Sequence, residues 1–252
     1  MGFCLAAQQA YCAFGLVAEH LDAKHLGAVA CCSRTLSDAM AECIPHAKAL
    51  TTIALRERLL ACSWGRDICK EGAKRLSLDG QVAATELPTL IRYVACTGVT
   101  EFKLRRCIIG KCGMQALSSA AGRGMLDGLH TLNLSHDYID SEGMEMLVEK
   151  GLRAGGLRHL RTLNLSNNYF SDSGLKSLCT VLAECAGAVL LELTILRIAG
   201  SSDEFRDASI RTLASTLTEG ALPALQQLVV PHGFEKHAAL LQVCRNRHIK
   251  LL

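Results

Sequence analysis

The chain has only four prolines among 252 residues, and nowhere do five like charges run together. With 50% hydrophobic residues, so little proline excludes a disordered chain and leaves enough apolar surface for a sizeable core. The 27 basic and 24 acidic residues are interspersed, so the formal charge of +3 points to neither a nucleic acid nor a membrane surface. No apolar stretch reaches the roughly 20 residues of a membrane-spanning helix. No basic residue precedes Lys24, which argues against a secretory signal. Gly2 and Cys4 would suit a lipidated terminus, but Ala6 replaces the Ser or Thr of the myristoylation pattern. The expectation is a cytoplasmic or nuclear monomer without a membrane or nucleic-acid partner.

Motifs that carry chemistry are missing as well. There is no Gly-x-Ser-x-Gly, no His-Glu-x-x-His, no phosphate loop and no dinucleotide fingerprint. His20 and His25, like His232 and His237, are spaced i, i+5 and so do not share a helical face. The 13 cysteines include no Cys-x-x-Cys, and neither Cys62-x6-Cys69 nor Cys107-x4-Cys112 has a partner pair at zinc spacing. They read as reduced thiols that pack as small hydrophobes. No catalytic residue, cofactor or metal is expected.

What is present is self-similarity. Leu129-His-Thr-Leu132-Asn-Leu134-Ser-His-Asp137-Tyr-Ile139 and Leu160-Arg-Thr-Leu163-Asn-Leu165-Ser-Asn-Asn168-Tyr-Phe170 repeat at a spacing of 31 residues. A period of this size marks stacked units, each too small to bury its own apolar face. The alternating leucines predict a short strand. The spacing of Met144, Leu147, Val148 and Leu152, and of Leu175, Leu178, Val181 and Leu182, predicts a helix after each strand. Further units carry Phe102 and Leu104, Leu196 and Ile198, and Leu228 and Val230, at offsets of 30, 33 and 32 residues. Leu76 and Leu78 add another, with Leu87, Leu90, Ile91 and Val94 as its helix. Leu50-Thr-Thr-Ile53-Ala-Leu55 is a weaker copy, and Leu240, Leu241 and Val243 mark a last helix before a degraded terminal unit.

This pattern resembles leucine-rich repeats of the ribonuclease-inhibitor-like class. The resemblance implies an α/β solenoid over residues 49–252, with a parallel concave sheet and outer helices. It also implies an inward-pointing residue after each strand that bonds the backbone of adjacent turns, a column reading Gln81, Cys107, Asp137, Asn168, Ser201 and Gly233. Only Asn168 matches the preferred Asn, and Gly233 has no side chain to offer, so an irregular arc with looser ends is expected.

Pleat alternation assigns the intervening strand residues to the open face. The candidate protein-binding residues are therefore Glu101, Lys103, Arg105, Thr131, Asn133, Ser135, Thr162, Asn164, Ser166, Arg197 and Gln227, with Arg75, Ser77, Asp79, Ile195, Ala199 and Val229 beside them. Lys103, Arg105 and Arg197 are expected to engage acidic groups, and the serines and asparagines to bond a partner's backbone. Large aromatic anchors are absent from that face.

Residues 1–48 lack the repeat and read as an α-helical segment, with Asp22 as an N-cap. Leu21-Asp-Ala-Lys-His-Leu26, Val29-Ala30 and Cys32-Ser-Arg-Thr-Leu36 resemble the second half of an F-box. That resemblance implies Leu16, Val17, Leu21, Leu26 and Val29 as contacts shared with a Skp-type adaptor of a cullin-RING ubiquitin ligase. Gln8-Gln9-Ala10-Tyr11 stands where an F-box opens with Leu-Pro, and a helical cap on the first repeat is the other reading. Repeats of this kind also regulate small GTPases, for which Arg105, Arg106 and Arg197 are the candidate arginines.

Overall fold

A computed structural model describes residues 73–80, 82, 85–185, 188–200 and 205–252. The helical segment at 1–48, its adaptor contacts Leu16, Val17, Leu21, Leu26 and Val29, the weak copy at Leu50, and the column residues Gln81 and Ser201 lie outside these.

Among the described residues, seven strands form one parallel sheet in chain order. They are β1 (Arg75–Asp79), β2 (Glu101–Arg105), β3 (Thr131–Ser135), β4 (Thr162–Asn164), β5 (Ile195–Arg197), β6 (Gln227–Val229) and β7 (Lys250–Leu251). Between them run α1 (Leu87–Thr97), α2 (Gly110–Gly122), α3 (Ser141–Met146), α4 (Asp172–Glu184), α5 (Asp207–Thr218) and α6 (Ala238–Asn246). The register pairs Leu76 with Phe102, Leu132, Leu163, Leu196, Leu228 and finally Leu251. The alternating leucines therefore form ranks across the sheet, and from Leu76 to Leu228 every member is buried.

Local sequence sets the ends of α1 and α3. Pro88 stands in the first turn of α1, where a missing N–H costs nothing, and Gly98 ends the helix at φ 68°. Asp140 caps α3, its Oδ1 accepting from the Gly143 N–H at 2.7 Å. The helical apolar positions foreseen from spacing, Leu87, Leu90, Ile91, Val94, Met144, Leu147, Val148, Leu152, Leu175, Leu178, Val181 and Leu182, are all buried against the sheet. In α6, Leu240 and Val243 are buried as expected, but Leu241 is half-buried and Cys244 takes the inner position. The degraded terminal unit forms a strand of its own, β7, after Arg247. The Arg247 guanidinium donates to the carbonyls of Leu217, Ala221 and Leu222 at 2.6–2.8 Å, stitching the last unit onto the end of α5.

One helix departs from plain α geometry. After α3 the chain widens into a π-helix, Leu147–Leu152, with the Arg153 N–H reaching the Val148 carbonyl at 2.8 Å. Gly122 of α2 makes room for it, since a Cβ there would lie 2.1 Å from the Lys150 carbonyl oxygen.

Candidate protein-binding face and edge

At the end of each central strand the backbone hands over to a side-chain ladder. Asn168 donates from Nδ2 to the Leu134 and Leu165 carbonyls at 2.7 and 2.8 Å. Its Oδ1 accepts from the Asp137 and Ile139 N–H groups at 3.0 and 3.1 Å. Asp137 continues the pattern one unit upstream, with Oδ1 accepting from the Cys107 N–H at 2.7 Å. The Cys107 thiol ends it weakly on the Arg105 and Leu78 carbonyls, at 3.4 and 3.9 Å. These three residues thus fill the inward column. Gly233 contributes no side chain and turns at φ 100° instead, its N–H held by the Glu235 carboxylate.

Asp137 is an imperfect substitute for asparagine. Its Oδ2 is buried without a hydrogen-bond partner. Burial, aided by the charge of Asp79, pushes its carboxyl up to about 7 against the opposing pull of the Cys107 N–H. Burial likewise raises the Cys107 thiol and takes that of Cys179 to about 11, so both are poor nucleophiles. The six described cysteines are free thiols; Cys107, Cys179 and Cys244 are buried and Cys112 is exposed.

The open face of the sheet holds most of the expected residues. Arg105 and Arg197 are exposed, and Glu101, Lys103, Thr131, Asn133, Thr162, Asn164 and Gln227 are half-buried. Ser135 and Ser166 are not on it: they are only 4% and 8% exposed. The reason is local. Asn133 Oδ1 accepts from the Ser135 N–H at 2.9 Å and Asn164 Oδ1 from the Ser166 N–H at 3.0 Å, so each asparagine folds over the serine two residues on, at the end of β3 and just past β4. The oxygens of Asn133 and Asn164 are therefore already used within the chain.

The charged end of the face is also partly self-paired. Glu101 meets Arg75 at 2.9 Å and Lys103 at 3.1 Å, while Asp79 lies 3.7 and 3.9 Å from Arg105 and Arg106. Four cations thus share two carboxylates. Among the described residues Arg197 forms no ion pair, unlike Lys103 and Arg105.

Beyond the strand ends lies a feature that alternation did not reveal. Ile108, Tyr138 and Tyr169 follow the ladder residues Cys107, Asp137 and Asn168 and are 64%, 55% and 55% exposed. The two tyrosine rings stack at 5.2 Å with an interplanar angle of 28°. In the column preceding the ladder stand Arg106, His136 and Asn167, at φ 56°, 62° and 57°. Outer units place Gly80 and Gly200 at that position, with φ of 71° and 66°. Left-handed backbone suits glycine best, yet the three central units hold bulky side chains where the units of β1 and β5 have glycine. The two columns enclose a shallow groove of about 240 Å³. Within it the Asn167 amide nitrogen lies 3.1 Å from His136 Nε2, and burial followed by the charges of Arg105 and Arg106 holds the imidazole below its ordinary pKa. The sequence signal was the shared tyrosine after Asp137 and after Asn168, visible only if the repeats are aligned past the strand.

No helix among the described residues is long and apolar enough to cross a membrane, and no three His, Cys, Asp or Glu side chains among them gather as metal ligands would. Strand, ladder turn and helix, repeated about one parallel sheet, define the α/β leucine-rich-repeat solenoid. A family model described as "Leucine Rich repeat" matches residues 156–179. Among solved structures, the chain is similar to "Leiomodin-1 Actin-Binding Site 2 (ABS2)", with a TM-score of 0.51 and 15% identity over 66% of this chain and 84% of that one. A search of curated proteins by sequence finds no match.

Proposed function

We propose that the chain is a non-catalytic protein-binding repeat module, acting as a scaffold or adaptor through the open face of its sheet. The observation that carries this reading is the ranked exposure of unlike side chains on one rigid surface: Lys103, Arg105, Thr131, Thr162 and Arg197 stand on neighbouring strands in fixed register. Such a surface is preorganised, so little ordering entropy opposes docking. Photo-crosslinking residues placed at Lys103 or Arg197 should capture a protein partner in cells, whereas the same residue at Lys176, on the helix side in α4, should not. Equal capture from both faces, or none from either, would count against the reading. Actin, which the similar leiomodin-1 structure is named as binding, is the first purified protein to include.

The finer reading as an F-box-type receptor is supported by the sequence of residues 14–40. Its test is co-purification of the full chain with a Skp-type adaptor, expected to be lost in a Leu21→Asp, Val29→Asp double variant. For small-GTPase regulation, Arg105 and Arg106 already share Asp79, which leaves Arg197 as the arginine to test by a GTPase-activation assay.

A further inference from the structure

The edge beyond the strand ends presents an apolar stripe beside an excess of positive charge. Ile108, Tyr138 and Tyr169 succeed one another at spacings of 30 and 31 residues, as do the ladder residues before them, so stacking alone lines them up. Adjacent strands in a sheet are about 4.8 Å apart, which puts the stripe at roughly 10 Å long. At its β2 end Arg105 and Arg106 share the single carboxylate of Asp79, an excess of one positive charge among the described residues.

We infer that this edge docks an extended segment of a partner protein whose apolar residues cover Ile108, Tyr138 and Tyr169 and whose acidic residue meets Arg105 and Arg106. The inference rests on the protein-binding reading and deepens it by placing the contact at the edge and giving the partner's chemistry. A segment in extended conformation advances about 3.3 Å per residue, so three or four residues span the stripe. The positive end then fixes its direction, because an acidic residue is favoured at β2 and not at β4. Exposed tyrosines supply large contact area at low entropic cost, as binding anchors do. A nucleic-acid strand fits less well. Tyr138 and Tyr169 stack on each other, which uses a ring face that a base would take, and the local excess is a single positive charge.

The probe is a displayed library of random peptides selected against the full chain. Enriched peptides should combine an acidic residue with neighbouring apolar residues. Tyr138→Ala with Tyr169→Ala should weaken their binding at least about tenfold. Arg105→Glu with Arg106→Glu should do the same for the acidic peptide and spare or strengthen a version with lysine in place of its acidic residue. The substituted side chains are exposed, and an unchanged melting temperature confirms that the fold is retained. Enriched peptides that ignore these substitutions but respond to Arg197→Glu would overturn the edge assignment and leave the protein-binding reading standing. Absence of any enriched peptide would overturn both. Binding of a labelled single-stranded oligonucleotide, or self-association of the chain, abolished by the same tyrosine substitutions would overturn the assignment to a peptide.

Discussion

Asp137 and Asn168 hold equivalent places in the ladder and differ in what the second side-chain atom can do. The Asn168 amide donates two hydrogen bonds, whereas the corresponding Asp137 oxygen is buried and unpartnered. Burial raises the carboxyl from 3.8 to about 7, and protonation would turn that oxygen into a donor. A carboxyl that binds its proton more tightly when folded favours the folded state below the unfolded value and loses that advantage as pH rises through the folded one. This contribution to stability should thus fall between about pH 4 and pH 7. Asp137→Asn supplies the donor at every pH. We expect it to stabilise the protein by about 1–3 kcal/mol at pH 8 and to have little effect near pH 4. Urea unfolding of both proteins across this range is the measurement, and parallel pH profiles would refute the account. The ionisable neighbours that enter are Cys107, whose backbone N–H stabilises the charged form, and Asp79, whose charge opposes it.

At the scale of elements, the contact between α2 and the π-helix after α3 depends on a missing side chain. The wide turn carries the Lys150 carbonyl to within 2.1 Å of where a Gly122 Cβ would sit, and backbone cannot swing aside as a flexible side chain would. Gly122→Ala should therefore push the two helices apart and cost about 1–3 kcal/mol. Gly128→Ala is the control: nothing lies within 4 Å of its Cβ, so its unfolding midpoint should be almost unchanged. Equal midpoints for the two variants would show that the π-turn relaxes freely.

For the whole molecule, stacked units touch only their neighbours, so stability is shared along the stack rather than pooled in one core. The ladder runs through Cys107, Asp137 and Asn168 and is missing at Gly233, where the backbone relies on its turn and on the short pairing of Val230 with Leu252. Hydrogen exchange should follow that difference. The N–H groups of Cys107, Asp137 and Ile139 should exchange at least about 100-fold more slowly than those of Val230, Lys250 and Leu252, corresponding to roughly 3 kcal/mol in opening free energy. Uniform protection along the sheet would mean that the ladder contributes nothing local.

Apolar periodicity alone determined the stacked architecture, because a leucine at every second strand position and a helical apolar stripe after it have only one way to be buried together. The strand positions from Leu76 to Leu228 and the helix faces, apart from Leu241 in the last one, were legible on that ground, while the inward column at Cys107, Asp137 and Asn168 followed from the resemblance to leucine-rich repeats. Tertiary structure decided what happens where alternation ends. Ser135 closes β3 and Ser166 lies just past β4, and both are buried there, each with its N–H held by the asparagine two residues before. Ile108, Tyr138 and Tyr169 become one surface only when successive turns stack. Whether an arginine on the open face meets a partner or a neighbouring carboxylate depends on register, as Asp79 beside Arg105 and Arg106 shows. A period in sequence says which side chains are inside one unit, while contacts between units exist only after the chain has coiled back on itself.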